Sequence, residues 1–315
     1  MNLKKAADVI VTKCLKIKED ERVLILTDSK RIGIGDVLLD SSTELAKYSK
    51  LLEKEIGDHD GEEPSKEIAK EMLNYNVIIA PTTYSISHTK ARRDASKRGI
   101  RIATMPSITN DIMNRCIDID YKNMTRLINL VQGVISNGSK MRITTALGTD
   151  LSFTIKYREI FRDDGILINK GDFGNLPAGE VHFSPLEGSA DGIYIVDGSQ
   201  AGLGKVSRLK FTVEKGFVKN IEGKDCYRLT KLLNSVKDKN AYGIAECGIG
   251  MNEKAIITGN ILEDEKVKGT CHIALGNNKS YGGKFNVPIH LDGIIRNPSI
   301  FVDNKEIIRE GKFKL

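Results

Sequence analysis

The first third of the chain alternates between continuous apolar runs and longer amphipathic segments. Continuous apolar runs are typical of strands that a parallel sheet buries on both faces. Three such runs occur, at Val23–Thr27, Val77–Ala80 and Ile100–Thr104. Helical periodicity predicts helices before, between and after them, over residues 2–17, 37–56, 65–73, 88–98 and 121–135. This alternation of strand and helix predicts an open parallel α/β domain at the amino terminus.

The pattern changes after the polar loop Asn137–Ser139. Beyond it the chain is rich in glycine, and short segments alternate between apolar and polar residues. Such spacing predicts a mostly antiparallel sheet with one helix, at Tyr227–Val236, and therefore an α+β domain. We expect an α/β domain over residues 1–138 and a catalytic, metal-binding domain over residues 139–315.

Composition excludes several classes of protein. The 315 residues are 40% hydrophobic and 29% charged, and the net charge of +6 is spread along the chain without a basic cluster interleaved with aromatics. Nucleic-acid binding is therefore not expected. Five irregularly spaced cysteines without a CxxC pair argue against a zinc ribbon or a disulfide scaffold. The chain has no signal peptide pattern and no apolar run near the roughly 18–20 residues of a membrane span, so we expect a cytoplasmic protein.

Two histidines lie in apolar segments of strand character near the carboxyl terminus. His272 follows Thr270 and Cys271, and His290 lies in Val287–Asp292. Because side chains alternate along a strand, His290 and Asp292 share one face and can reach one ion. Imidazole with carboxylate suits Zn²⁺, Co²⁺, Mn²⁺ or Fe²⁺. This segment predicts a metal site.

Further carboxylates extend the candidate site. Glu180 enters a strand from a loop with proline and glycine, and Glu246 lies between an apolar strand and a glycine-rich turn. Glu265 ends a short acidic run before His272. These carboxylates, with both histidines and Asp292, exceed what one tetrahedral ion needs, and they match two divalent ions that share a bridging ligand and a water.

Four motifs in fixed order resemble the successive metal-site motifs of the thermophilic-type leucyl aminopeptidases, the aminopeptidase T and aminopeptidase S family. They are Asn175–Glu180, Ala245–Gly250, Cys271–Gly276 and Ile289–Asp292. The segments Ser87–Arg92 and Met105–Ser107 are similar to the amino-terminal pattern of that family, so the resemblance covers nearly the whole chain.

The resemblance implies a cytoplasmic, homodimeric metallo-aminopeptidase that removes amino-terminal residues from small peptides. Two divalent ions (Zn, Co or Mn) would activate a shared water. The ligands implied are Glu180, Glu246, Glu265, His272, His290 and Asp292. Tyr281 falls at the catalytic tyrosine of the family, where its hydroxyl would stabilise the oxyanion, and Glu246 or Glu265 would act as general base.

Two other interpretations stay open. His272, His290 and Asp292 alone satisfy the pattern of two histidines and one carboxylate found in mononuclear non-haem Fe(II) oxygenases. Ring-cleaving dihydroxypyridine dioxygenases resemble this fold and share these motifs. Glu180 and Glu246 favour the peptidase, because a mononuclear iron site does not need them. A metal-stabilised binding protein without catalysis is the third interpretation.

Overall fold

The apolar runs near the amino terminus form strands in this computed structural model, which describes residues 3–315. The α-helices, in chain order, are α1 (Leu3–Val9), α2 (Ile32–Thr43), α3 (Lys66–Met72), α4 (Lys90–Lys97), α5 (Asn110–Cys116), α6 (Tyr121–Ser136), α7 (Cys226–Ser235) and α8 (Ile261–Asp264). A π-helical turn follows α1 at Ile10–Cys14, and 3-10 turns lie at Lys239–Tyr242 and Lys279–Tyr281.

The strands are numbered in the same way. They are β1 (Arg22–Asp28), β2 (Tyr48–Lys54), β3 (Val77–Ala80), β4 (Arg101–Thr104), β5 (Lys140–Thr144), β6 (Asp150–Thr154), β7 (Phe161–Asp163), β8 (Phe173–Asn175), β9 (Glu180–Phe183), β10 (Asp191–Val196), β11 (Ser199–Gln200), β12 (Gly204–Lys205), β13 (Leu209–Glu214), β14 (Phe217–Glu222), β15 (Ile244–Gly250), β16 (Cys271–Gly276), β17 (His290–Ile295), β18 (Ser299–Val302), β19 (Lys305–Arg309) and β20 (Lys312–Phe313).

The chain divides into two compact units. The first extends to Asp120 and includes Gly165–Ala178, and the second comprises Tyr121–Asp164 and Gly179–Leu315. The division therefore places α6 with the strands that follow it and β8 with the first unit. The domain bounds 1–138 and 139–315 stay a prediction, and this division differs from them at α6 and at residues 165–178.

The first unit contains a five-stranded parallel sheet in the order β2–β1–β3–β4–β8. Strands β1, β3 and β4 are the predicted apolar runs, whereas β2 and β8 were not predicted as strands. Side chains such as Leu24, Ile78 and Ile102 are fully buried between the sheet and its helices. The open parallel α/β architecture is confirmed.

One predicted helix in this unit is wrong. The pattern over residues 37–56 predicts a single helix, but α2 ends at Thr43 and Tyr48–Lys54 forms the edge strand β2. All seven residues of β2 pair in register with β1, from Arg22 opposite Tyr48 to Asp28 opposite Lys54. Strand pairing is a contact between distant parts of the chain, so the local periodicity of the segment does not reveal it.

The second unit contains two antiparallel sheets, where the sequence predicts a single, mostly antiparallel sheet. One has eight strands in the order β14–β13–β10–β6–β5–β18–β19–β20, and the other has seven in the order β12–β11–β17–β16–β15–β9–β7. The seven-stranded sheet holds both predicted histidine ligands and the predicted acids Glu180, Glu246 and Asp292, whereas Glu265 follows α8. Among the described helices, none combines the length and the apolar character that crossing a membrane requires.

Candidate metal centre

The seven-stranded sheet brings the predicted ligands together because of its register. Directly opposite residues in antiparallel strands present their side chains on the same face. Gly248 lies opposite both His182 and His272, and Ala274 lies opposite both Glu246 and Asp292. The acids and imidazoles of neighbouring strands therefore converge on one face of the sheet.

Small residues between these side chains make room for them. A methyl group at Gly248 would lie 2.1 Å from both Cε1 and Nε2 of His272, so the imidazole lies directly over this glycine. Ala274 leaves space between Glu246 and Asp292 on the adjacent strands. Gly248 and Ala274 thus leave space on this face of the sheet, and the polar side chains of the neighbouring strands can approach one another there.

Glu246, His290 and Asp292 form the first cluster, with ligand atoms within 4.8 Å of one another. His290 Nε2 lies 3.1 Å from Glu246 Oε2 and 3.5 Å from Asp292 Oδ1. His290 Nδ1 lies 2.8 Å from the backbone carbonyl oxygen of Asn277, which can only accept a hydrogen bond. Nδ1 therefore carries a proton, and in a neutral imidazole the Nε2 lone pair faces the carboxylates.

Glu180, Glu265 and His272 form the second cluster, by the same 4.8 Å measure. His272 Nε2 lies 3.6 Å from Glu180 Oε2, 3.6 Å from Glu246 Oε1 and 4.0 Å from Asp292 Oδ1. His272 thus joins the two clusters. All six residues predicted as metal ligands lie in these clusters.

Several buried atoms of the centre lack ordinary hydrogen bonds. Within residues 3–315, the atoms without a hydrogen-bond partner include Glu180 Oε2, Glu246 Oε2, Asp292 Oδ1 and both ring nitrogens of His272. A buried carboxylate or imidazole without a partner is costly, and a cation bound by the carboxylate oxygens and by one ring nitrogen of His272 would satisfy most of these atoms. The donor set of imidazole and carboxylate suits a divalent transition metal. The residues therefore fit a bound metal ion.

The raised pKa values of the two histidines also favour a bound cation. Burial alone would lower the pKa of His272, but the carboxylates of Glu246, Glu180 and Asp292 raise it to about 9. The pKa of His290 is raised well above its usual range, since Asp292 and Glu246 outweigh its burial. Beside these carboxylates the imidazoles thus attract protons strongly, as expected where a cation belongs.

Three residues of the centre were not predicted from the sequence. Lys266 is fully buried, and its Nζ contacts Glu180 Oε1 at 2.6 Å, Glu265 Oε1 at 2.9 Å and Asp163 Oδ2 at 3.4 Å. His182 Nδ1 lies 3.0 Å from Glu246 Oε1. His182 follows Glu180 at strand spacing, which is a signal that could have identified it. Nothing in the sequence near Lys266 or Asp163 distinguishes them from surface charges.

Aromatic rings border the centre. The ring of His182 packs edge-on against Tyr281 at a centroid distance of 5.1 Å and lies 5.5 Å from Phe161. Tyr281 lies 5.7 Å from the ring of His290. We call Phe161, His182 and Tyr281 the aromatic border. It places flat, partly buried surfaces next to the two clusters.

Comparison with known proteins identifies the family. The family model described as NicX, 2,5-dihydroxypyridine 5,6-dioxygenase, matches residues 41–315. The chain belongs to the NicX family. A 2,5-dihydroxypyridine 5,6-dioxygenase of Pseudomonas putida is 24% identical over 246 residues, which are 73% of this chain and 69% of the relative. A solved structure of the 2,5-dihydroxypyridine dioxygenase of that organism has a TM-score of 0.86 at 18% identity and covers 99% of this chain and 96% of its own.

The resemblance to aminopeptidases extends to the fold only. Wild-type AmpT of Thermus thermophilus, an aminopeptidase T, has a TM-score of 0.71 at 14% identity, with 99% of each chain covered. Membership of the NicX family overturns the predicted metallo-aminopeptidase, hydrolase and protease activity, the zinc or cobalt assignment and the peptide substrates. The predictions failed because hydrolases and oxygenases draw on the same ligand types, imidazole and carboxylate, so the presence of Glu180 and Glu246 could not separate them.

Other predictions were not tested. The homodimer, the absence of nucleic-acid partners and the cytoplasmic location stay predictions. The two clusters have the ligand atoms to hold metal ions. The number and the identity of these ions are taken up below.

Proposed function

We propose that the chain is an Fe(II)-dependent ring-cleaving dioxygenase that acts on 2,5-dihydroxypyridine or a closely related hydroxylated pyridine. Family membership supports the reaction class. The observation that carries the proposal is the buried group of two imidazoles and a carboxylate, whose Asp292 Oδ1 and His272 nitrogens have no hydrogen-bond partner within the described chain. Two histidines and one carboxylate are the ligands that mononuclear non-haem oxygenases use for iron.

His272, His290 and Asp292 would hold the single ion, and Glu246 would lie beside it. Glu246 is within 3.6 Å of His272 Nε2 and 3.1 Å of His290 Nε2 through its two oxygens. When bound, Fe(II) supplies the one-electron chemistry that allows O₂ to react with an aromatic ring. The hydrogen bond from His290 Nδ1 to the Asn277 carbonyl oxygen leaves Nε2 facing Glu246 and Asp292, where it would be available to bind the ion. Metal-binding histidines commonly have such a hydrogen bond on the other ring nitrogen.

The chain's own residues would bind and orient the ring. A planar heteroaromatic substrate packs well against aromatic side chains in stacked or edge-on geometry. Phe161, His182 and Tyr281 offer such surfaces beside the clusters. Glu246 lies against His182 Nδ1 and thereby fixes the orientation of the imidazole in the aromatic border.

The first test is oxygen uptake. Protein reconstituted with Fe(II) under nitrogen should consume one O₂ for each 2,5-dihydroxypyridine lost, followed with an oxygen electrode and by the absorbance of the ring. Protein loaded with Zn²⁺, which has no redox chemistry, should consume none. Loss of the pyridine without oxygen uptake, or no turnover of any hydroxylated pyridine by the iron-loaded protein, would refute the proposed function.

Tyr281 provides a second test, because its predicted role as an oxyanion donor depended on peptide hydrolysis. If its ring borders the substrate instead, Tyr281→Ala should raise the KM for the pyridine about 2–10-fold, the value of one aromatic contact. Tyr281→Phe keeps the ring and should leave KM near that of the parent. Steady-state oxygen uptake measures both variants. Equal KM values for Tyr281→Ala and the parent would remove Tyr281 from the substrate site.

A further inference from the structure

Lys266 lies fully buried beside the second cluster of the candidate metal centre. Its ammonium group contacts three carboxylates, at 2.6 Å from Glu180 Oε1, 2.9 Å from Glu265 Oε1 and 3.4 Å from Asp163 Oδ2. Glu180 and Glu265 are two of the three members of the second cluster. A positive charge of the chain itself therefore already occupies one half of the predicted dinuclear site.

The backbone holds Lys266 in this position. The carbonyl oxygen of Lys266 accepts a hydrogen bond from Asn252 N at 2.8 Å, and Lys268 N donates to Asn252 O at 3.1 Å. A methyl group on Gly250 would lie 2.2 Å from Val267 O, so this segment packs directly against the end of β15. With its backbone fixed and its side chain enclosed, Lys266 cannot withdraw to solvent to admit another cation.

We propose that the Lys266 ammonium takes the place of a second metal ion and limits the centre to one divalent ion. The proposal deepens the proposed function, since it rests on a mononuclear centre and names the residue that makes it mononuclear. His272, His290 and Asp292 would hold the single ion, with Glu246 beside it.

Distance and charge support this assignment. A divalent ion bound to Glu180 Oε1 would lie about 2.0–2.2 Å from that oxygen, the usual metal–carboxylate distance. Lys266 Nζ is 2.6 Å from the same atom and 2.9 Å from Glu265 Oε1. Two cations at these oxygens would compete for the same lone pairs and repel each other at short range in a buried site. Glu180 Oε2 is directed instead toward His272 Nε2, 3.6 Å away.

A purely structural salt bridge predicts something different. If Lys266 only neutralises its carboxylates, its removal should destabilise the protein and leave the metal count unchanged. If it replaces an ion, its removal should open the second cluster to a metal. Counting bound ions separates the two roles without any measurement of activity.

The experiment compares the parent with Lys266→Met, which keeps much of the side-chain volume and removes the charge. Each protein is stripped with a chelator, exposed to excess Zn²⁺ or Mn²⁺, freed of unbound metal and analysed by mass spectrometry for metal per chain. We expect one ion in the parent and two in Lys266→Met. Lys268→Met removes an exposed lysine from the same segment and should retain one ion. The double variant Glu265→Gln/Lys266→Met lacks a second-cluster carboxylate and should return to one ion.

The parent count can overturn the proposal by itself, even if Lys266→Met folds only in the presence of metal or not at all. Two ions in the parent would overturn the proposal, and one ion under excess metal, with all six candidate ligands present, would support it. A folded Lys266→Met that still binds one ion would also overturn it. Failure of the proposed function is recognised separately, since a parent with one ion and no oxygen uptake would refute the dioxygenase and leave the role of Lys266 intact.

Discussion

Asp292→Ala is expected to abolish ring cleavage and to remove tight metal binding together. Asp292 Oδ1 lies 3.5 Å from His290 Nε2 and 4.0 Å from His272 Nε2, so this buried carboxylate, like that of Glu246, faces both imidazoles. Loss of outer partners of a metal site alone costs about 10–100-fold, so removal of a direct ligand should reduce turnover by at least about 100-fold. Oxygen uptake and bound iron per chain, measured on the same preparation, check both effects.

The control for this prediction is Asp191→Ala, which removes an exposed aspartate from β10 in the eight-stranded sheet. It should leave turnover and bound iron near those of the parent. Circular dichroism of Asp292→Ala should match that of the parent, because the two units have other buried apolar cores. Full activity and a normal iron content in Asp292→Ala would exclude β17 from the metal centre.

Alternation along β17 was sufficient to place two site residues from the sequence alone. His290 and Asp292 were predicted to share one face, and the register of β17 against β16 places both on the face of the sheet that holds the site. The strand period of two residues is a strictly local property, so it survives without knowledge of the fold. A second local signal, the continuous apolar run, identified the parallel strands β1, β3 and β4.

Contacts between distant residues explain what the sequence did not reveal. Lys266 and Asp163 are separated by 103 positions, yet Lys266 Nζ lies 3.4 Å from Asp163 Oδ2. A lysine is seldom buried without partners, and its partners become visible only when the strands are in register. The edge strand β2 was assigned to a helix for the same reason, since its pairing with β1 depends on a segment about 25 residues away.

The reaction class was the hardest property to predict. The first interpretation counted carboxylates and concluded that two ions were needed. That count assumed that every acid near the histidines faces a metal. In the structure, Glu180 and Glu265 also face the ammonium of Lys266, so part of their charge is neutralised within the chain. A supply of acidic ligands therefore sets an upper limit on the number of ions.

Gly248→Ala is expected to disable the centre, although glycine contributes no ligand. The added methyl group would lie 2.1 Å from Cε1 and Nε2 of His272, a distance that real atoms do not adopt. His272 is enclosed between neighbouring strands, so its ring must rotate or the strands must separate. Overpacking of this kind costs about 1–3 kcal/mol of folding stability. Displacement of Nε2 should lower iron affinity at least about 10-fold and reduce turnover more strongly.

The matched control is Gly133→Ala in α6, where an added methyl group meets nothing within 4 Å. Alanine favours the helix over glycine, so this variant should be as stable as the parent or slightly more stable, with normal activity. Thermal unfolding, iron titration and oxygen uptake of both variants complete the comparison. If Gly248→Ala retained the iron affinity of the parent, iron binding would not depend on the position of the His272 imidazole over Gly248. Its imidazole would then have to be withdrawn from the proposed iron ligands, which would leave His290, Asp292 and Glu246 to hold the ion.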